Sequence, residues 1–585
     1  MNTTLKLFFN YYKQPKKNSF IFIFFSICTS FLEVTTIFLF YTYIKYLSEN
    51  SINSYLDEII RIFYKYFELN YFIFLSVLLT FFYLVKLITN FYFSFWKNSF
   101  IQNIYNYYSN TLNKHYLSKD YKFFLSNNSS NIINNIFLET KNYSSCINFF
   151  LVFFSELIIL LSIILFLLFK EFKITMYILF FISLFSFAYK ILLKELILNL
   201  GKKRLNASSM FLKFIRETFE GIKTIKIYKK EIFFYSRAKK EIDFFSKNAT
   251  IQGFFFDLPR LLIDFILFIF IISLIYFYNF NKNYIHDNSA TFALFIISLY
   301  RILPSINRIA SSYQNIIFFS PVSKVLETEL LSSKNRKKEE LIDAKEINFT
   351  FKKVIKISNL VFRHKNQETI FFDNLSLTIN KNDCVGIFGM SGSGKTTLVD
   401  LIAGILNGEN SFLEIDNYKI RSSKDLSAWQ NKIGYVAQST FILNDTIRNN
   451  IAFGLNTNEI NDDKVISVLK TVQLSSLLAR FNYDLNGLFD ENGTNLSLGE
   501  KQRVGLARAL YRGSEVYIFD EPTSSLDPEN EDLFINFLEE FKKNKTIIMI
   551  SHKKSNLRIC NRNLQLKVEI NDNNIISRKF FELSR

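Results

Sequence analysis

The chain has 585 residues and an excess of Lys and Arg over Asp and Glu that gives a formal charge of +18, yet 49% of its residues are hydrophobic and 69 are Phe. A basic soluble enzyme or nucleic-acid binder is not this apolar, and a disordered chain is excluded by the same figures. The four cysteines, Cys28, Cys146, Cys384 and Cys560, have no paired or metal-ligand spacing, so neither a disulfide framework nor a zinc site is expected.

Charge and hydropathy are segregated along the chain. Six apolar runs precede residue 320, at 18–46, 71–96, 147–169, 172–196, 254–278 and 288–318. Each exceeds the roughly 20 residues needed to cross a bilayer. The first is too long for a signal peptide, and no small-x-small cleavage pattern follows it. Before residue 320 the N-terminal tail and the loops 97–145 and 197–253 hold most of the Lys and Arg, whereas 47–70, 170–173 and 279–287 are short and poor in net positive charge. Positive charge stays on the cytoplasmic side, so both termini and both long loops are expected there, with an even number of spans in a plasma membrane. Stretches such as Phe211–Lys230 have helical spacing and read as extensions of the spans beyond the bilayer.

Residues 321–345 turn polar and read as a linker between a transmembrane domain, 1–320, and a second domain, 346–585. In the latter, strand-length runs at Val385–Phe388, Ile433–Ala437, Val516–Phe519 and Thr546–Ile550 alternate with helical segments, which predicts an α/β domain with a mainly parallel sheet.

Between the first of these strands and a helix lies Gly389-Met-Ser391-Gly392-Ser393-Gly394-Lys395-Thr396, followed by Thr397. It fits the phosphate-binding pattern G-x-x-x-x-G-K-[ST] in its required strand–loop–helix context. Glycines let backbone N–H groups curl around phosphates at a helix N-terminus. Lys395 is then a phosphate ligand and Thr396 a Mg²⁺ ligand, with Asp520, at the end of the strand Val516–Phe519, holding the same ion. Glu521 is the candidate general base for an attacking water.

Leu496-Ser497-Leu498-Gly499-Glu500-Lys501-Gln502-Arg503 lies between them, and with it the domain resembles the ATP-binding cassette of ABC transporters. The family signature, LSGGQ, is altered at Leu498 and Glu500, while Ser497 and Gly499 are kept. The resemblance implies that Ser497 and Gly499 face the γ-phosphate, with Glu500 beside them as a nucleotide-binding candidate. It makes Gln438 the residue that senses Mg²⁺ and couples to the membrane domain, Asp527 a residue that communicates across a dimer, His552 the γ-phosphate switch, and His364 the ring stacked on adenine. It also implies a half-transporter working as a homodimer, an α-helical six-span transmembrane domain of exporter type followed by the cassette, with the loop tips Asp120–Ser126 and Glu220–Lys226 touching the cassettes. ATP and Mg²⁺ are the implied cofactors.

Ionisable residues inside spans are costly and face a cavity or each other. Asp257, Arg260 and Asp264 fall in span five, Arg301 and Arg308 in span six, Lys86 in span two, Glu33 in span one and Glu156 in span three. Pro304 is expected to kink span six. Two readings follow. In one, Arg260 pairs with Asp264 and Lys86 with Glu33 or Glu156; in the other, Arg260, Arg301, Arg308 and Lys86 line an anion-binding cavity. The segments Leu299–Ile309, Leu258-Pro259-Arg260 and Ser30–Glu33 resemble the PglK family of bacterial lipid-linked oligosaccharide flippases. That resemblance implies a polyprenyl-pyrophosphate glycan as the substrate, bound by Arg260, Arg301 and Arg308, in the service of protein glycosylation. The alternatives are another amphipath, such as lipid A, a peptide or a drug, and a nucleotide-gated regulator or channel. The intact Glu521 and Ser497 argue against the last.

Overall fold

The computed structural model describes residues 2–12, 15–49, 71–170, 172–280, 289–335, 350–364, 370–409, 412–524, 528–570 and 576–583. The chain divides into two compact units: one holds Met1–Leu117 and Asn127–Lys338, the other Ser118–Ser126 and Glu339–Arg585.

The first unit is helical. It contains α1 (Asn2–Tyr11), α2 (Pro15–Glu49), α3 (Tyr71–Leu117), α4 (Thr140–Lys170), α5 (Phe172–Glu220), α6 (Glu231–Phe280) and α7 (Ser289–Asn335). Among the described residues, Pro15–Leu47, Phe72–Leu117 and Ser129–Lys170 are helical, long and apolar enough to cross a membrane; they carry the first three expected runs. The other three lie on α5, α6 and α7, continuous helices of 49, 50 and 47 residues. At about 1.5 Å per residue such helices are more than twice as long as a bilayer core of about 30 Å is thick. They therefore run on past it, as the basic amphipathic stretches predict. The short segments expected outside the membrane, 47–70 and 279–287, fall largely outside the described residues.

Helix α7 contains both Pro304 and Pro321. It also runs to Asn335, so residues 321–335 of the expected linker are helix; the rest of that segment lies outside the described residues. Val322, Leu326 and Leu330 are 0–1% exposed, and their spacing of four gives 321–335 an apolar face under its charged surface. The helices approach closely at Gly201 of α5, where a Cβ atom would lie 2.1 Å from the Phe318 carbonyl oxygen of α7.

The second unit holds two sheets. Strands β1 (Val354–Phe362), β2 (Phe372–Asn380), β4 (Phe412–Ile415) and β5 (Tyr418–Lys419) form an antiparallel sheet in the order β2-β1-β4-β5. Strands β3 (Cys384–Phe388), β6 (Ile433–Val436), β7 (Val516–Asp520), β8 (Thr546–Ile550), β9 (Arg562–Ile570) and β10 (Ile576–Leu583) form the second, in the order β10-β9-β3-β8-β7-β6. It is parallel except for β10, which pairs antiparallel with β9. Its central strands are buried on both faces. Tyr517 and Phe519 of β7 enter one core and Val516 and Ile518 the other, the alternation that a strand's period of two imposes on a doubly covered sheet. All four cysteines are free, but Cys384 and Cys560, distant in sequence, lie with their sulfurs 3.3 Å apart in the core.

Candidate nucleotide and intramembrane sites

The parallel register sets the ends of β3, β8 and β7 side by side. Ile387 pairs with Ile550, and Ile550 with Asp520. The chain leaves β3 through the glycine-rich loop and enters α8 (Lys395–Ile402). Gly394, the residue before that helix, has φ +105°, a backbone conformation that a side chain would strain. Lys395 is 5% exposed. Its Nζ donates to the carbonyl oxygens of Gly389 at 3.0 Å and Met390 at 3.1 Å, so the ammonium is folded back into the loop. Burial lowers its pKa; Glu521 and then Asp520 act in the opposite direction. Ser393 is buried and its hydroxyl has no partner. Ser391 and Gly392 sit exposed on the same loop.

Asp520 ends β7, buried, with its carboxylate bonded by the Thr396 and Tyr435 hydroxyls. Burial and the neighbouring Glu521 raise its pKa. Asp400 of α8 lies in the same field, and burial followed by Asp520 pushes its pKa to about 6. Tyr435 and Asp400 were missed in the sequence because neither belongs to a motif. Glu521 adopts φ +50°, a left-handed conformation that costs a non-glycine residue about 1–2 kcal/mol. Its backbone N–H donates to the Ile550 oxygen at 3.1 Å. Its two carboxylate oxygens are each engaged: Gln438 Nε2 donates to one at 2.9 Å, and His552 Nε2 lies 2.5 Å from the other. The three residues named from separate motifs thus converge on one carboxylate.

Thr396, Asp520 and the side-chain oxygen of Gln438 form a set of hard oxygen donors of the kind Mg²⁺ takes, with its remaining positions left to water and phosphate. Among the described residues no group of three His, Cys, Asp or Glu forms a denser metal cluster.

His364 is half-buried. It meets Phe371 edge-on at 4.6 Å and Phe362 at 5.0 Å between ring centroids. Burial first, then Arg578 and Lys122, lower its pKa, which favours the neutral ring.

The signature segment opens α9 (Leu498–Arg512). Ser497 caps it: its hydroxyl accepts from the Glu500 N–H at 3.2 Å, and the Glu500 carboxylate accepts from the Ser497 N–H at 2.8 Å, a reciprocal capping box. Glu500 also pairs with Arg480. Within one chain, therefore, the Glu500 carboxylate serves the helix start. No recorded contact among the described residues joins Ser497 or Gly499 to the phosphate loop. Asp527 lies outside the described residues.

In the first unit five of the expected intramembrane charges, Glu33, Lys86, Glu156, Arg301 and Arg308, form one network. Glu33 accepts from Lys86 at 2.8 Å and from Arg301 at 2.9 Å. Glu156 lies 2.6 Å from Arg308, 3.8 Å from Arg301, and accepts from Ser305 at 2.8 Å. Both carboxylates are about 5% exposed. The pairing that the sequence allowed for Lys86 is present. Arg301 and Arg308 are ion-paired as well: the acids they lack in their own span come from α2 and α4. Arg260 has no ion pair with Asp264 among the described residues, and both are exposed on α6, so the i, i+4 pair expected there is not formed. Lys97 lies in the field of Arg308 and Glu156. Among the described residues, three cations paired with two carboxylates leave the network with an excess of one positive charge.

The chain matches two families of known domains: the ABC transporter transmembrane region over residues 19–303 and the ABC transporter domain over 372–524. It is 36% identical over 208 residues to the ATP-dependent lipid A-core flippase of Syntrophus aciditrophicus, covering 36% of this chain and 34% of that protein. With the lipid A-core flippase of Pasteurella multocida it shares 32% over 203 residues, 35% of this chain and 34% of the other. The aligned stretch thus spans about a third of these relatives. A bacterial Atm1-family ABC exporter with ATP bound superposes with a TM-score of 0.75 at 16% identity, over 94% of this chain and 93% of that one.

Proposed function

We propose that the chain is an ABC exporter half-transporter that acts as a homodimer and hydrolyses ATP to move a lipid with a phosphorylated head across a bacterial inner membrane. The observation that carries the ATPase reading is the Glu521 carboxylate, held by Gln438 and His552 from opposite sides beside Thr396 and Asp520. In this reading Lys395 leaves the loop carbonyls for phosphate oxygens, and the N–H groups of Gly392, Ser393, Gly394, Lys395, Thr396 and Thr397 supply the phosphate cradle. Mg²⁺, held by Thr396, Asp520 and Gln438, neutralises phosphate charge. Glu521 accepts the proton of the attacking water, and His552 donates a hydrogen bond towards the γ-phosphate. His364 offers its ring to adenine. Ser497 and Gly499 complete the site of the partner chain, and Asp527 contributes across the dimer. The cassette, both termini and the long basic loops then face the cytoplasm.

For the substrate, the surplus positive charge around Glu33 and Glu156 favours an anionic head and disfavours a cationic drug. The relatives named above are lipid A-core flippases, which makes lipid A-core the leading reading. The polyprenyl-pyrophosphate glycan remains a second one on a specific ground: Arg260 is exposed and, among the described residues, has no ion pair with Asp264. Reconstituted protein given lipid A-core, a polyprenyl-pyrophosphate sugar or a cationic amphipath separates these. Stimulation of ATPase and flipping by one of the first two supports the reading; stimulation by the cationic amphipath alone rejects it.

A further inference from the structure

The last strand of the chain reaches back to the phosphate loop. Arg578 of β10 is 9% exposed. Its Nε donates to the Ser393 carbonyl oxygen at 3.0 Å and its Nη1 to the Phe371 carbonyl oxygen at 2.8 Å. The guanidinium carbon stands 3.7 Å from the centre of the Phe371 ring. That ring also bounds the loop, since a Cβ atom at Gly394 would lie 2.6 Å from it. His364 packs edge-on against its side.

A trans peptide is planar, with its C=O and N–H pointing in opposite directions. The peptide whose oxygen Arg578 holds is the one that joins Ser393 to Gly394. Holding that oxygen fixes the Gly394 N–H on the other side, the side on which the loop's amides gather at the start of α8. Gly394, at φ +105°, also has no side chain to restrict its backbone. Without an anchor its peptide could rotate away. Arg can do this where Lys cannot, because its planar fork serves two carbonyls and an aromatic face at once.

From this geometry we infer that Arg578 is a positioning residue for ATP: it locks the Ser393–Gly394 peptide so that the Gly394 N–H is preset to receive phosphate, and through Phe371 it ties that peptide to the His364 ring. The inference rests on the nucleotide reading of the phosphate loop. It assigns the C-terminal hairpin, β9–β10, a part in nucleotide affinity that no motif in the sequence announces.

The test compares full-length wild type with Arg578→Met, which keeps length without donors, and Arg578→Gln, which keeps one donor. Displacement of a fluorescent ATP analogue by ATP and by inorganic tripolyphosphate reads affinity; steady-state hydrolysis reads kcat and KM; thermal unfolding without nucleotide reads folding. Loss of a charge-assisted anchor should weaken ATP and tripolyphosphate alike, by about tenfold in Arg578→Met, with kcat at saturating ATP within about twofold of wild type. Arg578→Gln should recover a clear part of that loss. ATP affinity unchanged in Arg578→Met, a loss for ATP without one for tripolyphosphate, or a Gln variant no better than the Met variant overturns the inference. Should Arg578→Met not fold, Arg578→Gln against wild type decides: equal weakening of both ligands supports the anchor, and unchanged affinity rejects it. Wild-type protein that binds no ATP would instead reject the nucleotide reading itself.

Discussion

Replacing Glu33 by Gln removes the charge that two cations share in the middle of the membrane domain while keeping the side chain's shape. Lys86 and Arg301 lie 2.8 and 2.9 Å from its oxygens, with side chains 17% and 19% exposed against 6% for Glu33 itself. The surplus positive charge of the network rises from one to two. Removing one partner of a buried pair typically costs about 3–5 kcal/mol, because the remaining charge stays desolvated. Lys86 and Arg301 are not fully buried and Arg301 keeps Glu156 at 3.8 Å, so the lower end, about 3 kcal/mol, is expected. A thermal unfolding series in detergent or lipid nanodiscs measures it, and a double-mutant cycle with Arg301→Gln isolates the pair. If the pair is real, the second substitution restores part of what the first lost, with a coupling of about 1–3 kcal/mol. Additive effects, or a Glu33→Gln variant as stable as wild type, would refute the network.

Four further outcomes follow from the same geometry. Lys395→Ala should lose ATP binding in a nucleotide titration, and retained affinity would count against its role. His364→Ala should weaken ATP several-fold but leave tripolyphosphate unchanged; equal effects on both would remove the ring from the base. Arg308→Ala should lower flipping of a phosphorylated lipid while basal ATPase survives; unchanged flipping would leave Arg308 only its ion pair with Glu156. Asp400 has a folded pKa raised from 3.8 to about 6, so its contribution is stabilising below about pH 4 and is lost as pH rises through 6. Asp400→Asn should therefore raise the thermal midpoint near pH 7.5 more than near pH 4, and an equal shift at both would reject the assignment.

The nucleotide site was readable because each part is local: a strand, a glycine loop and a helix start lie within a few residues, and Asp520 and Glu521 end a strand whose neighbours were also recognisable. What joins the parts was not. Gln438 and His552 meet on Glu521 through the order β3-β8-β7-β6, which sequence periodicity does not specify. The intramembrane arginines looked unpaired because their acids, Glu33 and Glu156, are 268 and 152 residues away. The polar surface of 321–335 hid the buried Val322, Leu326 and Leu330, so a helix was read as a linker. Arg578 carries no motif at all; only the return of β10 beside the loop reveals it. The signature's Glu500, by contrast, was legible as a helix cap from the S-x-x-E spacing, and that bland role is the one seen within a single chain.

The most direct test of the account is ATP hydrolysis by the purified chain in proteoliposomes, measured for wild type and Glu521→Gln with and without a phosphorylated lipid. The account predicts wild-type hydrolysis stimulated by that lipid, and a Glu521→Gln protein that binds ATP but turns it over at least about a hundredfold more slowly. Glu521→Gln hydrolysing at the wild-type rate would contradict it.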